Sequence, residues 1–178
     1  RGIQNGINGG ARACFIHGGV MDFRFSHSDL DDIPAAIAMI KDAGLAAGIA
    51  GHNPQVFEWA EDHLDVDFYM CSYYNSANRD KSAELKTGMA EWFRAEDRER
   101  MGALIQKLNK PVIHYKVMGA GRNAPEEALW FVAQHLRPQD AVCIGIYPHH
   151  KPNMLQENIT LLQACLAKAG KLPGAAAE

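Results

Sequence analysis

The chain has 178 residues, enough for one well-buried domain, and its formal charge of −3 gives no electrostatic footing for nucleic acid or an anionic membrane. Its 47% hydrophobic and 22% charged content is that of an ordinary globular protein, and no apolar run approaches the ~20 residues of a membrane-spanning helix. No apolar signal region follows the opening Arg1-Gly2-Ile3, and Cys14, Cys71, Cys143 and Cys165 form no CxxC pair, so the expected setting is a reducing cytoplasm with free thiols.

Taken in chain order, short apolar runs alternate with amphipathic ones. A helix is expected over residues 3–10, then a strand over 13–17 closed by Gly18-Gly19, then a loop over 21–31. A helix over 33–43 ends at Gly44, a C-terminal cap. The strand over 46–50 leads through Gly51-His52 to Asn53 and Pro54, an N-cap and first helical position for a helix reaching residue 63. A third strand over 66–71 ends in Ser72-Tyr73-Tyr74-Asn75, and a polar stretch over 77–94 precedes a charged helix over 95–108. A fourth strand over 111–117 runs into Gly119-Ala120-Gly121-Arg122, followed by a helix over 125–135. A fifth strand over 141–146 and a last helix over 154–169 complete a domain of residues 1–172, with 173–178 as a frayed tail.

Strands each followed by a helix predict an α/β fold with a parallel sheet. No Gly-x-Gly-x-x-Gly opens the first unit, which weighs against an open dinucleotide-binding sheet. Polar residues end all five strands, which favours a (β/α) barrel, where every strand end feeds one site. A barrel takes about eight strands. The missing strands are therefore expected from upstream sequence, a partner chain or a second copy, with this chain incomplete as a folding unit.

The strand ends supply the candidate chemistry. His17 and His52 end the first two strands, His17 ahead of two glycines that let a ligand approach the backbone. Either Cys71 and Tyr73 or Ser72 and Tyr74 face the site, since strand side chains alternate. Lys116 lies in an apolar run, where a lysine is costly unless paired or functional, and its parity matches His114. The turn at Gly119, Gly121 and Arg122, with Gly145 after the fifth strand, suggests an anion cup built from backbone N–H groups and a guanidinium.

In order, these strand ends resemble the second half of the aldo/keto reductase superfamily. The resemblance is carried by His17, by Gly-Ile-Ala-Gly-His-Asn-Pro over residues 48–54, by Tyr74-Asn75, by Gly119-Ala120-Gly121, and by Gly145 with Gln156-Glu157-Asn158. It implies an eight-stranded barrel of which this chain holds strands four to eight. It also implies a substrate-orienting role for His17, nicotinamide contacts from Tyr74 and Asn75, and adenine-end contacts to NADP from Glu157 and Asn158. Ala50 and Gly51 stand where members of that family carry Ser-Asn, and the segments bearing the family's tyrosine, lysine and aspartate have no counterpart in the chain. The resulting expectation is an NADPH-linked oxidoreductase of small carbonyl or sugar-like substrates, with His17 and Lys116 catalytic and the activity not complete in this chain alone. Two alternatives stand beside it. One is a barrel lyase, isomerase or hydrolase holding zinc or another divalent metal through His17, His52 and Cys71. The other is a barrel subunit without catalysis.

Overall fold

The computed structural model describes residues 2–77, 91–149 and 151–172. Most of the stretch expected to be polar before the charged helix, the C-terminal tail and His150 lie outside them.

The element order is α1 (Gly2–Asn8), β1 (Ala13–Ile16), α2 (Gly18–Ser26), α3 (Ile33–Asp42), β2 (Ala46–Gly51), α4 (Pro54–His63), β3 (Phe68–Ser72), α5 (Ala95–Ile105), β4 (Val112–Tyr115), α6 (Pro125–His135), β5 (Ala141–Val142) and α7 (Met154–Lys168). The five strands form one sheet in the order β1-β2-β3-β4-β5, every pair parallel. The parallel α/β class expected from the alternating pattern is therefore present.

Local chemistry sets the boundaries. Asn53 caps α4 by accepting from the Gln55 N–H at 3.1 Å, and Pro54 takes the first helical position, where no N–H is needed. Gly44 ends α3 at φ +75°, donating its N–H to the Lys41 carbonyl at 2.8 Å. Gly44→Ala should lower the unfolding free energy by about 1–2 kcal/mol, the cost of a left-handed conformation with a Cβ, measured by urea unfolding.

Several expected boundaries shift; β3 runs Phe68–Ser72 rather than 66–71 and α5 ends at Ile105 rather than 108, and three other shifts bear on the strand ends. Residues 18–26, read in part as a loop, form α2 directly after β1. The His17 ring accepts from the Gly19 N–H at 3.2 Å and caps a helix whose two leading glycines conceal it from propensity. β4 stops at Tyr115 rather than 117, because Lys116 adopts φ +57° and turns the chain out of the strand. β5 is only two residues long; its pairing to β4 covers Ala141 and Val142, and one further bond joins the Cys143 N–H to the His114 carbonyl.

The two sheet faces differ. Ile16, Ala47, Ile49, Tyr69, Cys71, Tyr73 and Val112 pack with Ile33, Ile37 and Ile40 of α3, Val56 and Phe57 of α4, Met101 and Ile105 of α5 and Phe131 of α6. The other face carries Phe15, Gly48, Phe68, Met70 and Ile113, none of which joins that core among the described residues. Sequential strand order places the crossovers on one side, because parallel crossovers share one hand.

Within the helix-side core, His114 is fully buried. Its Nε2 lies 3.2 Å from Asp140 Oδ2 and its Nδ1 lies 2.9 Å from the Tyr73 hydroxyl. Asp140 also accepts from the Val112 N–H and from the Arg137 backbone and guanidinium, and Arg137 continues to the Leu108 and Lys110 carbonyls. This network ties the loops before β4 and β5 together at the N-terminal edge of the sheet.

Candidate functional site

The strand C-terminal ends gather a second buried Asp–His pair. By alternation, His17, His52 and Tyr115 extend the sheet face of Phe15, Gly48 and Ile113, opposite the helix layer. The beginning of α2 directly after β1 brings Asp22 to the end of β2, where its carboxylate accepts from the His52 N–H at 3.0 Å and the Asn53 N–H at 3.1 Å. The same carboxylate lies 2.6 Å from His52 Nδ1, with both side chains only 4% exposed. The Tyr115 hydroxyl stands 3.3 Å from His52 Nε2 and 3.4 Å from the Gly51 carbonyl oxygen.

Two hollows adjoin this cluster. A cavity of about 350 Å³ is walled by Phe15, His17, Gly18, Ala50, His52, Met70, Tyr115 and Lys116. A cleft of about 1410 Å³ runs from Tyr115 and Lys116 past Met118, Gly121, Asn123 and Gly145 to Lys151, Glu157 and Asn158 on the α7 side. Tyr115 and Lys116 belong to both walls. The smaller volume lies at the low end of the range for small-molecule sites, and the cleft exceeds it. Lys116 Nζ donates to the Ser76 hydroxyl at 2.8 Å, and its φ of +57° is the kind of conformation that persists where surroundings impose it.

The expected site residues divide between these hollows and other places. His17 and His52 wall the same cavity, although His17 also caps α2. Lys116 walls both hollows, but it does not share a face with His114: the turn at Lys116 breaks the alternation, and His114 points under the helices. Gly121, Gly145, Glu157 and Asn158 wall the cleft, with Glu157 ion-paired to Lys151 and Asn158 only 8% exposed.

Other expectations are corrected. Tyr74 is 2% exposed, its hydroxyl accepts from Asn123 Nδ2 and its ring meets Phe93 edge-on, so it offers no face for stacking on a ligand. Asn75 is half-buried beside it, its N–H donating to Asp97 at 3.3 Å. The glycine turn is no anion cup. The N–H groups of Gly119, Gly121 and Arg122 donate to the carbonyls of Lys116, Met118 and Gly119, at 2.9, 2.9 and 3.2 Å. The Arg122 guanidinium lies 4.3 Å over the Phe93 ring and donates back to the Gly119 carbonyl. Cys71 faces the helix layer, opposite the strand-end histidines, and burial pushes its thiol well above the usual range, so it is no partner for His17 and His52. Among the described residues no three His, Cys, Asp or Glu side chains converge to hold a metal ion.

Two residues of the cluster were not singled out by sequence. Asp22 fell in the expected loop, and only recognition of a helix starting at Gly18 would have aimed it at the next strand end. Tyr115 is the last residue of an apolar strand and was overshadowed by Lys116; the signal available was its strand-end position.

No family model, curated protein or solved structure matches the chain.

Proposed function

We propose that the chain is part of a parallel (β/α) barrel oxidoreductase that reduces a small carbonyl or sugar-like substrate with NADPH. The observation that carries this reading is the adjacency of the two hollows, which share Tyr115 and Lys116 as lining residues. A small cavity lined by acid–base side chains lies beside a cleft large enough for a dinucleotide, with Tyr115 and Lys116 in both linings. Sequential strand order with the buried core on one sheet face supports the barrel, since the uncovered face and the outer edges of β1 and β5 are those that further strands would close. Such strands would come from further sequence, a partner chain or a second copy.

The cofactor, when bound, would supply the hydride. The fit rests on the α7 wall, where Lys151 can meet a phosphate group and Glu157 and Asn158 offer polar contacts, rather than on the glycine turn, whose N–H groups are already used. In the small cavity, apolar Phe15, Ala50 and Met70 surround the substrate carbon skeleton while His17, His52 and Tyr115 face its oxygen.

The test is a fluorescence titration with NADPH of the purified protein together with the strands that complete the barrel. Saturable binding is expected, weakened about 10- to 100-fold by Lys151→Glu, the scale of one hydrogen bond to a charged group. No saturation with NADPH or NADH would set the reductase reading aside.

A further inference from the structure

We propose that Lys116 is a covalent nucleophile whose amine condenses with a small aldehyde or ketone in the strand-end cavity, forming an imine without any nicotinamide. The inference goes beyond the reductase reading and does not depend on it.

Lysine amines form imines with carbonyl compounds where neighbouring groups handle the protons, so position decides which lysine can use this chemistry. Lys41 is paired with Asp65 and Asp67, Lys151 with Glu157, and Lys171 donates to the Gln134 and Leu136 carbonyls. Lys168 lies over the Trp130 ring, 4.7 Å from its centroid, and Lys107 is exposed on the surface. Lys116 alone among the described lysines lines the small cavity.

The backbone is shaped to put it there. Consecutive strand residues take opposite faces of a sheet, which would separate Lys116 from Tyr115. The left-handed φ of +57° at Lys116 turns the chain out of β4, and the two side chains wall one cavity instead. The buried Ser76 hydroxyl accepts from Lys116 Nζ at 2.8 Å and fixes the end of the long side chain. Apolar Phe15, Ala50 and Met70 leave about 350 Å³ for a carbon skeleton.

The same cavity holds the acid–base group that imine formation needs. The Asp22 carboxylate accepts from two backbone N–H groups, so its third contact, at 2.6 Å, is a donation from His52 Nδ1–H. Nε2 is then the nitrogen that exchanges protons, and it stands 3.3 Å from the Tyr115 hydroxyl. A Cβ at Gly18 would lie 3.1 Å from both His52 Cε1 and the Tyr115 hydroxyl oxygen, so the two rings meet across a bare α-carbon.

The atoms balance with no oxidant or reductant. The neutral Lys116 amine bonds to the carbonyl carbon, and the carbonyl oxygen takes a proton from imidazolium His52 by way of the Tyr115 hydroxyl. The nitrogen passes one of its protons back to His52 by the same route, giving a neutral carbinolamine. The carbinolamine C–O bond then breaks. Its oxygen leaves as water with the proton from His52, and the nitrogen lone pair closes the C=N bond of a protonated imine. Solvent at the cavity mouth, where His17 is exposed, restores the imidazolium.

Reductive trapping tests this in the purified protein together with the strands that complete the barrel, with no NADPH present. Benzaldehyde and sodium cyanoborohydride turn an imine into a stable benzylamine, and peptide mass spectrometry reads the rate at each lysine. Lys116 should be benzylated at least about 10-fold faster than exposed Lys107 and Lys168, well within what positioned acid–base groups supply. His52→Gln, shown folded by circular dichroism, should lower the Lys116 rate at least about threefold and leave Lys107 and Lys168 unchanged. A parent ratio below about tenfold, or a folded His52→Gln protein that loses less than about threefold, overturns the proposal. Failure of the separate NADPH titration removes the reductase reading and leaves the trapping result to decide this one.

Discussion

Asp140→Asn should lower the unfolding free energy by about 3–5 kcal/mol at neutral pH, the cost of removing one partner from a buried ion pair. The Asp140 side chain is 0% exposed and accepts from His114, Val112 and three groups of Arg137. Burial alone would raise its pKa, but the donated hydrogen bonds from His114, Arg137 and Val112 outweigh it and hold the carboxyl well below the usual range. The sign of the pH dependence follows. A carboxylate whose folded value is depressed adds stability above its ordinary value of about 3.9 and loses it as pH falls below that toward the folded value. Urea unfolding at a series of pH values should therefore show the full gap between parent and variant at pH 7 and a narrowing gap in acid. A gap that is constant with pH would mean that Asp140 contributes shape rather than charge. The strand-end geometry is the control: Asp140 precedes β5 and walls neither hollow, so the folded variant should keep the Asp22–His52 contact of the parent.

The two Asp–His pairs show how far the sequence could be read. Periodicity and caps located every helix but α2, and the five parallel strands with β5 read four residues too long, because apolar alternation and signals such as Asn53-Pro54 are local. The pairs themselves are not local. Asp22 and His52 are 30 residues apart and His114 and Asp140 are 26 apart, so nothing along the chain distinguishes one pair from the other. What separates them is the direction of a strand side chain and the end of the sheet at which it sits. Parity would have settled His114 and Lys116 had the strand continued, but the left-handed turn at Lys116 breaks the alternation. The glycine turn misled for a related reason. Accessible N–H groups were inferred from composition, whereas the turn spends them on its own carbonyls.

Phe57→Ala should cost about 3–5 kcal/mol of stability, in the range for deleting a buried aromatic ring, and should loosen the strand-end site as well. Phe57 is 0% exposed and packs edge-to-face on Tyr69, with ring centroids 5.5 Å apart. Its ring also fills the space beside Gly51: a Cβ there would lie 2.9 Å from Phe57 Cζ and 3.6 Å from Asp22 Oδ1. The ring therefore backs the strand end whose neighbouring N–H groups, at His52 and Asn53, are held by Asp22. Removing it opens a void on the side that keeps the carboxylate in place, so the effect reaches the Asp22–His52 pair through packing alone. Amide hydrogen exchange reads this directly. At matched global stability, set by adding urea to the parent, the His52 and Asn53 amides should exchange faster in Phe57→Ala than in the parent. Phe57→Leu, which keeps most of the volume, should cost about 1.5 kcal/mol or less and restore their protection. If these two amides exchange at the parent rate in Phe57→Ala, Asp22 is held by its hydrogen bonds without support from the core, and the strand-end geometry is set by β2 and α2 alone.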